Sequence, residues 1–282
     1  MLAATAVSTL RPRSEAFDIP CPSGATRLFA VIGQPVAQVQ APALMNRLFV
    51  DRMIDAVLVP VEAAPADFAV MIEGLKRIAN LDGILVTVPH KFAACDHADH
   101  LGDAAKIAGS ANALRREADG TWAADNFDGV GFVQGLVGAG HDPRGKAVSL
   151  VGAGGAGAAI APALLTHGAR LLVLSDVSEQ RATHLAARLE AKWPGRVRVA
   201  SAPATAESDI LINATPVGLR EEDPLPFELD GVRADAVVAD IIMKPAETRL
   251  LKAAIARGLR VHPGIHMLSQ QIELYRQFFR IP

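Results

Sequence analysis

The sequence predicts an α/β fold of two domains, each built on a mostly parallel sheet, and three observations carry that expectation. Short apolar runs of strand length alternate with stretches of helical spacing, the pattern of parallel strands joined by crossover helices. The alternation runs through the first half, pauses at a glycine-rich loop over residues 138–145, and begins again. The chain has 282 residues, half of them apolar, enough to bury more than one small core.

Residues 1–25 read as a poorly specified tail. Leu28-Phe29-Ala30-Val31-Ile32 is a strand-length run that stops at Gly33, and residues 42–54 place Leu44, Leu48 and Phe49 on one side of a helix. A second strand is expected over 56–59, a second helix over 65–78 and a third strand over 83–88, ending at Pro89. After Lys91 the spacing predicts helix to about residue 100 and again over 103–108. Residues 112–116 and 121–124 flank Asp119-Gly120, a hairpin signal. A helix over 128–137 leaves the first domain, and further strands lie at or near Ala147, Leu171, Arg196, Ile210 and Val237. Helices are expected over 246–257 and 265–279, the last with Leu268, Ile272, Tyr275 and Phe279 at apolar spacing.

The second half opens on its most informative stretch. The apolar run Ala147–Val151 leads directly into Gly152, Gly154, Gly155, Ala156 and Gly157, helix formers follow, and a second strand ends at Ser175-Asp176. Glycines permit a tight turn and let the backbone approach a pyrophosphate whose charge sits on a helix N-terminus, and an acid about twenty residues on meets a ribose hydroxyl. A glycine-rich turn alone also packs helices on strands, but strand, turn, helix, strand and acid together point to a dinucleotide. A carboxylate at Asp176 pairs with ribose hydroxyls and repels a 2′-phosphate, so NAD is expected over NADP. Asp176 also suits a turn before a helix capped by Ser178, and the two roles are compatible. The domains are accordingly drawn at 26–127 for the substrate and 128–264 for a Rossmann-type dinucleotide domain, with the helix at 265–282 packing back near the first.

Composition excludes several classes. The net charge of -2, with no long basic run, argues against nucleic acid or an anionic membrane and for a small-molecule ligand. Only Cys21 and Cys95 are present, which gives no disulfide framework and suits a cytoplasmic protein. About twenty uncharged residues from Ala147 have the length of a membrane span, but the glycines and Pro162 interrupt them. The opening residues lack the basic start and long apolar core of a secretory signal. A homodimer is carried as one option for assembly, which the sequence does not decide.

Two segments carry candidate chemistry. Thr87-Val88-Pro89-His90-Lys91 ends a buried strand, where open α/β sheets collect ligands, and a lysine partly desolvated there serves as acid or base. On spacing alone a solvated lysine in a first helical turn is the commoner role. In Asp125-Asn126-Phe127-Asp128-Gly129 a carboxylate precedes a helix, able to hold a substrate hydroxyl or simply to cap the helix. Residues 95–100 hold ligand-type side chains, but their spacing fits no closed zinc pattern. A Tyr-x-x-x-Lys relay, a Gly-x-Ser-x-Gly elbow and a phosphate loop are all missing.

With these residues assembled, the chain resembles the shikimate and quinate dehydrogenase family from about Leu28 to Phe279. The segments that carry the resemblance are Gly33-Gln34-Pro35-Val36-Ala37, Val86-Thr87-Val88-Pro89-His90-Lys91, Gly109-Ser110-Ala111-Asn112, the segment at 125–129, the glycine turn, Asn213-Ala214-Thr215-Pro216-Val217-Gly218, and Gly264-Ile265-His266-Met267-Leu268 with Gln271. The resemblance implies oxidation of a ring hydroxyl to a ketone with a nicotinamide cofactor. Lys91 and Asp128 match its relay, and Thr87, Asn112 and Gln271 its substrate positions. Asn213, Thr215, Pro216 and Gly264 match positions beside the cofactor.

The departures bear on specificity. Val39-Gln40-Ala41 stands where shikimate enzymes hold the substrate carboxylate with Ser-x-Ser, Leu85 replaces an asparagine, Phe127 a threonine and His266 a glycine. Each hydrogen bond left unmade to a buried carboxylate costs about 1–3 kcal/mol, so shikimate is expected to bind poorly. Gln38, Gln40 and His266 are the candidates to replace the lost contacts. Ser175-Asp176-Val177, in place of an Asn-Arg-Thr that serves NADP in the family, points again to NAD. The expected activity is thus an NAD-dependent dehydrogenase acting on a shikimate- or quinate-like hydroxy acid or polyol. A non-catalytic sensor of NAD or another ligand on the same fold is the rival, as is a low-activity shikimate dehydrogenase paralogue. A one-carbon folate dehydrogenase ranks below both.

Overall fold

The computed structural model describes residues 22–282; residues 1–21, with most of the expected tail, the opening segment weighed as a signal, and Cys21, lie outside the described residues. The first sheet contains β1 (Arg27–Gly33), β2 (Ala56–Glu62), β3 (Leu81–Val86), β4 (His100–Leu101), β5 (Ala113–Arg116) and β6 (Trp122–Asp125), in the order β2-β1-β3-β5-β6-β4. Strand β1 lies parallel to both neighbours, while β5 runs antiparallel to β3 and β6. Its residues alternate between the two faces, as a period of two requires. Phe29 and Val31 pack with α1 (Ala41–Asp51), and Ala30 and Ile32 with α2 (Phe68–Lys76). Because both faces are covered, β1 reads as a continuous apolar run.

The helix expected after Lys91 is not formed to residue 100. A short 3-10 turn covers Ala93–His97, and the chain then extends into β4 along the free edge of β6. Asp99 N donates to Trp122 O and Gly102 N to Ala124 O, so edge pairing outweighs local helical preference there. Helix α3 (Asp103–Ala108) follows.

The second sheet is parallel throughout. Its strands are β7 (Ala147–Val151), β8 (Leu171–Ser175), β9 (Val197–Val199), β10 (Ile210–Asn213), β11 (Val237–Asp240) and β12 (Arg260–His262), in the order β12-β11-β10-β7-β8-β9. The order reverses between β7 and β10, the switch point where such sheets bind ligands. Helices α4 (Asp128–Gly138), α5 (Gly155–His167), α6 (Glu179–Glu190) and α7 (Arg249–Ala256) belong to this half, and α8 (Ile265–Phe278) closes the chain. The uncharged stretch from Ala147 is divided among β7, the glycine turn and α5, and no helix among the described residues is long and apolar enough to cross a membrane.

Helix α4 lies between α5 and α8 because glycines remove the side chains in the way. A Cβ at Gly129 would sit 2.1 Å from Ala159 O, and one at Gly131 2.6 Å from the Gln271 side chain. Helix α8 in turn sends Leu268 and Tyr275, and the residue just past it, Phe279, into the core beside β1 and β3. The close approach of α4 to α8 is what brings distant polar residues together.

Candidate active site

Lys91 is delivered by the turn that follows β3. Within it His90 is buried, its Nε2 2.8 Å from Ala63 O and its ring stacked 4.3 Å from that of Phe68. With His90 tied down on one side, the next side chain enters the cleft on the other. Lys91 is 8% exposed and Asp128 2%. Lys91 Nζ donates to Asp128 Oδ2 at 2.5 Å, while Asn112 Nδ2 and Gln271 Nε2 both donate to Asp128 Oδ1 at 2.9 Å. A buried ion pair holds only when such donors satisfy its remaining lone pairs. Asp128 occupies the first turn of α4, where the helix dipole favours an anion, but it makes no capping bond there. Its backbone N instead donates to Asn126 Oδ1, and Asn126 donates to Ser110. The capping role open to Asp128 in the sequence is therefore unfilled, leaving its carboxylate to the pair with Lys91.

The glycine turn is shaped by backbone contact. Gly152 has φ +105°, and a Cβ there would meet Ala214 O at 2.8 Å; a Cβ at Gly157 would lie 1.9 Å from Gly152 O. Gly154 faces open space, and α5 begins after it with no side-chain cap, so its first amide groups are left without a side-chain acceptor, as an anion site needs. Ala156 is buried in the same turn. The residues present therefore fit a dinucleotide pyrophosphate. Gly155 adjoins the Lys91–Asp128 pair: a Cβ on it would be 2.8 Å from Lys91 Cβ.

Around these two centres the other positions fall unevenly. Thr87 sits at the carboxyl ends of β1 and β3, its N donating to Ile32 O and its methyl facing Gly33. Asn213 is buried and shapes the loop after β10: its Oδ1 accepts from Thr215 N and Oγ1, and its Nδ2 donates to Val217 O, which sets Thr215 and Pro216 in place. Gly264 lets the start of α8 approach Ile241 O, which a Cβ would meet at 2.4 Å. Gln38 and Gln40 are not brought to the relay, since their amides donate to Pro35 O and Gln38 O of their own loop. His266 is exposed and stacks on His262 at 4.9 Å, on the far end of the α4 and α8 packing, and so does not replace a carboxylate contact here. Among the described residues no cluster could hold a metal ion.

One member of the site escaped the sequence reading. The Tyr275 hydroxyl is buried beside Asn112 and Gln271, although its place on the last helix suggested only apolar packing. The usable signal was its position four residues after Gln271, on the same helix face.

The profile of the shikimate dehydrogenase substrate binding domain matches residues 31–114. A shikimate dehydrogenase (NADP(+)) of Rubrobacter xylanophilus is 37% identical over 265 residues, 92% of this chain and 93% of that protein. The crystal structure of shikimate dehydrogenase from Aquifex aeolicus has a TM-score of 0.82 at 32% identity, covering 91% of this chain and 94% of its own. Quinate dehydrogenase from Corynebacterium glutamicum, in complex with NAD, has a TM-score of 0.79 at 28% identity, covering 90% and 93%.

The expectation of NAD over NADP is overturned by the curated relatives, which are named as NADP(+) enzymes in Rubrobacter xylanophilus, Acidiphilium cryptum, Moorella thermoacetica and Rhodospirillum rubrum. The geometry shows why Asp176 was a poor guide. Its Oδ2 accepts from Ala153 N and its Oδ1 from Ser178 N and from Arg181, so the carboxylate braces the glycine turn and carries a paired charge. Burial pushes its pKa up, but these hydrogen bonds and the Arg181 charge outweigh it and hold the group below the usual carboxylate range. Repulsion of a phosphate by a free acid is not what this arrangement supplies. From the relay, the glycine turn and these likenesses together, the chain belongs to the shikimate dehydrogenase family.

Proposed function

We propose that the protein interconverts a ring hydroxyl and a ketone on a shikimate- or quinate-like hydroxy acid or polyol, using a nicotinamide dinucleotide. NADP(H) is the form that the curated relatives' names carry. The observation that supports this most is the buried Lys91 and Asp128 pair in contact with the glycine turn at Gly155. A nicotinamide dinucleotide held at the glycine turn over Gly152–Gly157 would supply the hydride donor or acceptor for the carbinol carbon. In reduction the Lys91 ammonium gives a proton to the carbonyl oxygen, and in oxidation the neutral amine takes the hydroxyl proton back, which is ordinary acid–base catalysis by a positioned group. Asp128 Oδ2 orients the alcohol, Thr87 and the second amide hydrogen of Gln271 hold neighbouring hydroxyls, and Asn112, whose amide hydrogens go to Asp128 and Tyr275, accepts from one through its oxygen. Residues 26–127 form the substrate domain and 128–264 the cofactor domain, with 265–282 returning to the first.

The first loop sets the selectivity. Val39, Ala41, Leu85 and Phe127 belong to one apolar cluster, and the Gln38 and Gln40 amides are held by their own backbone. A substrate carboxylate placed there loses donors, so its KM is raised. Initial rates of NADP+ reduction with shikimate, quinate and ring polyols lacking the carboxylate test the reading. Turnover of at least one, with shikimate at a high KM, is expected. Cofactor binding without turnover of any would favour a non-catalytic sensor instead.

A further inference from the structure

Asp128 Oδ1 receives two amide donors, and both amides belong to side chains that are free to rotate by half a turn. A flipped Gln271 would present its oxygen to the carboxylate, and so would a flipped Asn112. What fixes them is a third group. Tyr275 Oη lies 3.0 Å from Asn112 Nδ2 and 3.0 Å from Gln271 Oε1. The amide oxygen can only accept, so the hydroxyl donates to Gln271, and its own oxygen accepts from Asn112. The Asn112 oxygen is committed as well, accepting from Phe127 N at 3.0 Å. The result is a closed ring of hydrogen bonds through Tyr275, Gln271, Asp128 and Asn112, with every direction determined.

We propose that Tyr275 is a positioning residue of the reaction: its hydroxyl locks the amides of Gln271 and Asn112 so that both donate to Asp128 Oδ1, leaving Oδ2 for Lys91 and the substrate hydroxyl. The ring itself is held from outside. Phe127 meets Tyr275 edge-on with centroids 5.7 Å apart, and Phe279 packs at 6.3 Å. Phe127, which replaces a threonine of the family pattern, therefore steadies the phenol rather than reaching for substrate. Burial and the Asp128 charge both push the Tyr275 pKa well above its ordinary value, so the hydroxyl keeps the proton it donates. An uncharged donor of fixed direction is what the lock requires, since an unsatisfied Gln271 oxygen in this buried place would be costly.

The proposal rests on the dehydrogenase reading, and its test separates the two. Tyr275→Phe keeps the ring packing and removes only the oxygen. On the best substrate of the wild-type protein, kcat is expected to fall about 10-fold with cofactor KM unchanged, because misaligned groups lose catalysis before they lose binding, and the thermal midpoint to fall by a few degrees with cooperative unfolding kept, because the Gln271 oxygen loses its donor. The decisive arm is a double-mutant cycle with Gln271→Met. If the hydroxyl acts through Gln271, Tyr275→Phe changes kcat much less in that background than in the wild type. Additive effects, an unchanged kcat in Tyr275→Phe, or a loss of cooperative unfolding in that variant would each overturn the positioning role while leaving the dehydrogenase intact. Absence of turnover in the wild-type protein would remove both.

Discussion

The glycine turn and the Lys91–Asp128 pocket touch at Gly155 and Lys91, but one is made of backbone and the other of side chains. In the turn, Gly152 and Gly157 matter because neighbouring carbonyls already occupy the places their side chains would take. In the pocket, Lys91, Asn112, Asp128 and the α8 pair Gln271 and Tyr275 come from four separate segments and meet where α4 and α8 pack closely. A backbone surface responds sharply to an added methyl group and is indifferent to polarity. A side-chain surface responds the other way, since removing one hydroxyl or amine disturbs every partner it orders.

That contrast can be broken at its strongest point. Gly157→Ala forces a Cβ to within 1.9 Å of Gly152 O, which no rotamer relieves. Dinucleotide affinity should fall by more than about 10-fold and stability by about 1–3 kcal/mol, as overpacking does. Gly154→Ala is the matched control: its φ is -73° and a Cβ meets nothing within 4 Å, so folding stability should be unaltered. Cofactor fluorescence titration and thermal unfolding of the two variants check this. Equal losses would show that the turn is not shaped by backbone contact.

A smaller effect sharpens the comparison at the α4 and α8 seam. His262 is buried beside Phe132, with His141 and His266 near it and neither ring nitrogen hydrogen-bonded. Burial first, then the neighbouring histidines, push its pKa from 6.5 down to about 4. A base with a lowered folded pKa contributes stability that is present above 6.5 and lost as pH falls through about 4. The loss amounts to at most roughly 3 kcal/mol. Asp240, pushed up to about 6 by burial, slopes the opposite way, contributing stability at low pH that is lost as pH rises through that value. Only the difference between wild type and His262→Phe is therefore diagnostic. The variant should lose less stability than the wild type between pH 6.5 and 4; parallel pH curves would exclude the effect.

The same contrast explains what the sequence made legible. The glycine turn is contiguous, and its strand, turn and helix are each encoded locally, so all three could be read from residues 147–176 alone. Lys91 and Asp128 stood out through short motifs, but the donation of Gln271 to Asp128 goes with α4 approaching α8 over Gly131, which no local pattern encodes. Tyr275 was hidden for that reason, reading as one more apolar residue on the last helix. Asp176 misled in the other direction: its chemistry suggested a ligand contact, while Arg181, five residues on, had already paired the charge. The β4 pairing was equally out of reach, because its partner strand lies some twenty residues later and edge pairing is set by tertiary context.

The central claim is that Lys91 moves the proton of the reacting hydroxyl. Lys91→Met keeps the aliphatic stem against Gly155 and removes the amine, and its kcat on the best substrate should be measured at saturating cofactor beside a cofactor titration. A fall in kcat of about 10²–10⁴ with cofactor affinity retained is the predicted result. Undiminished turnover would contradict it.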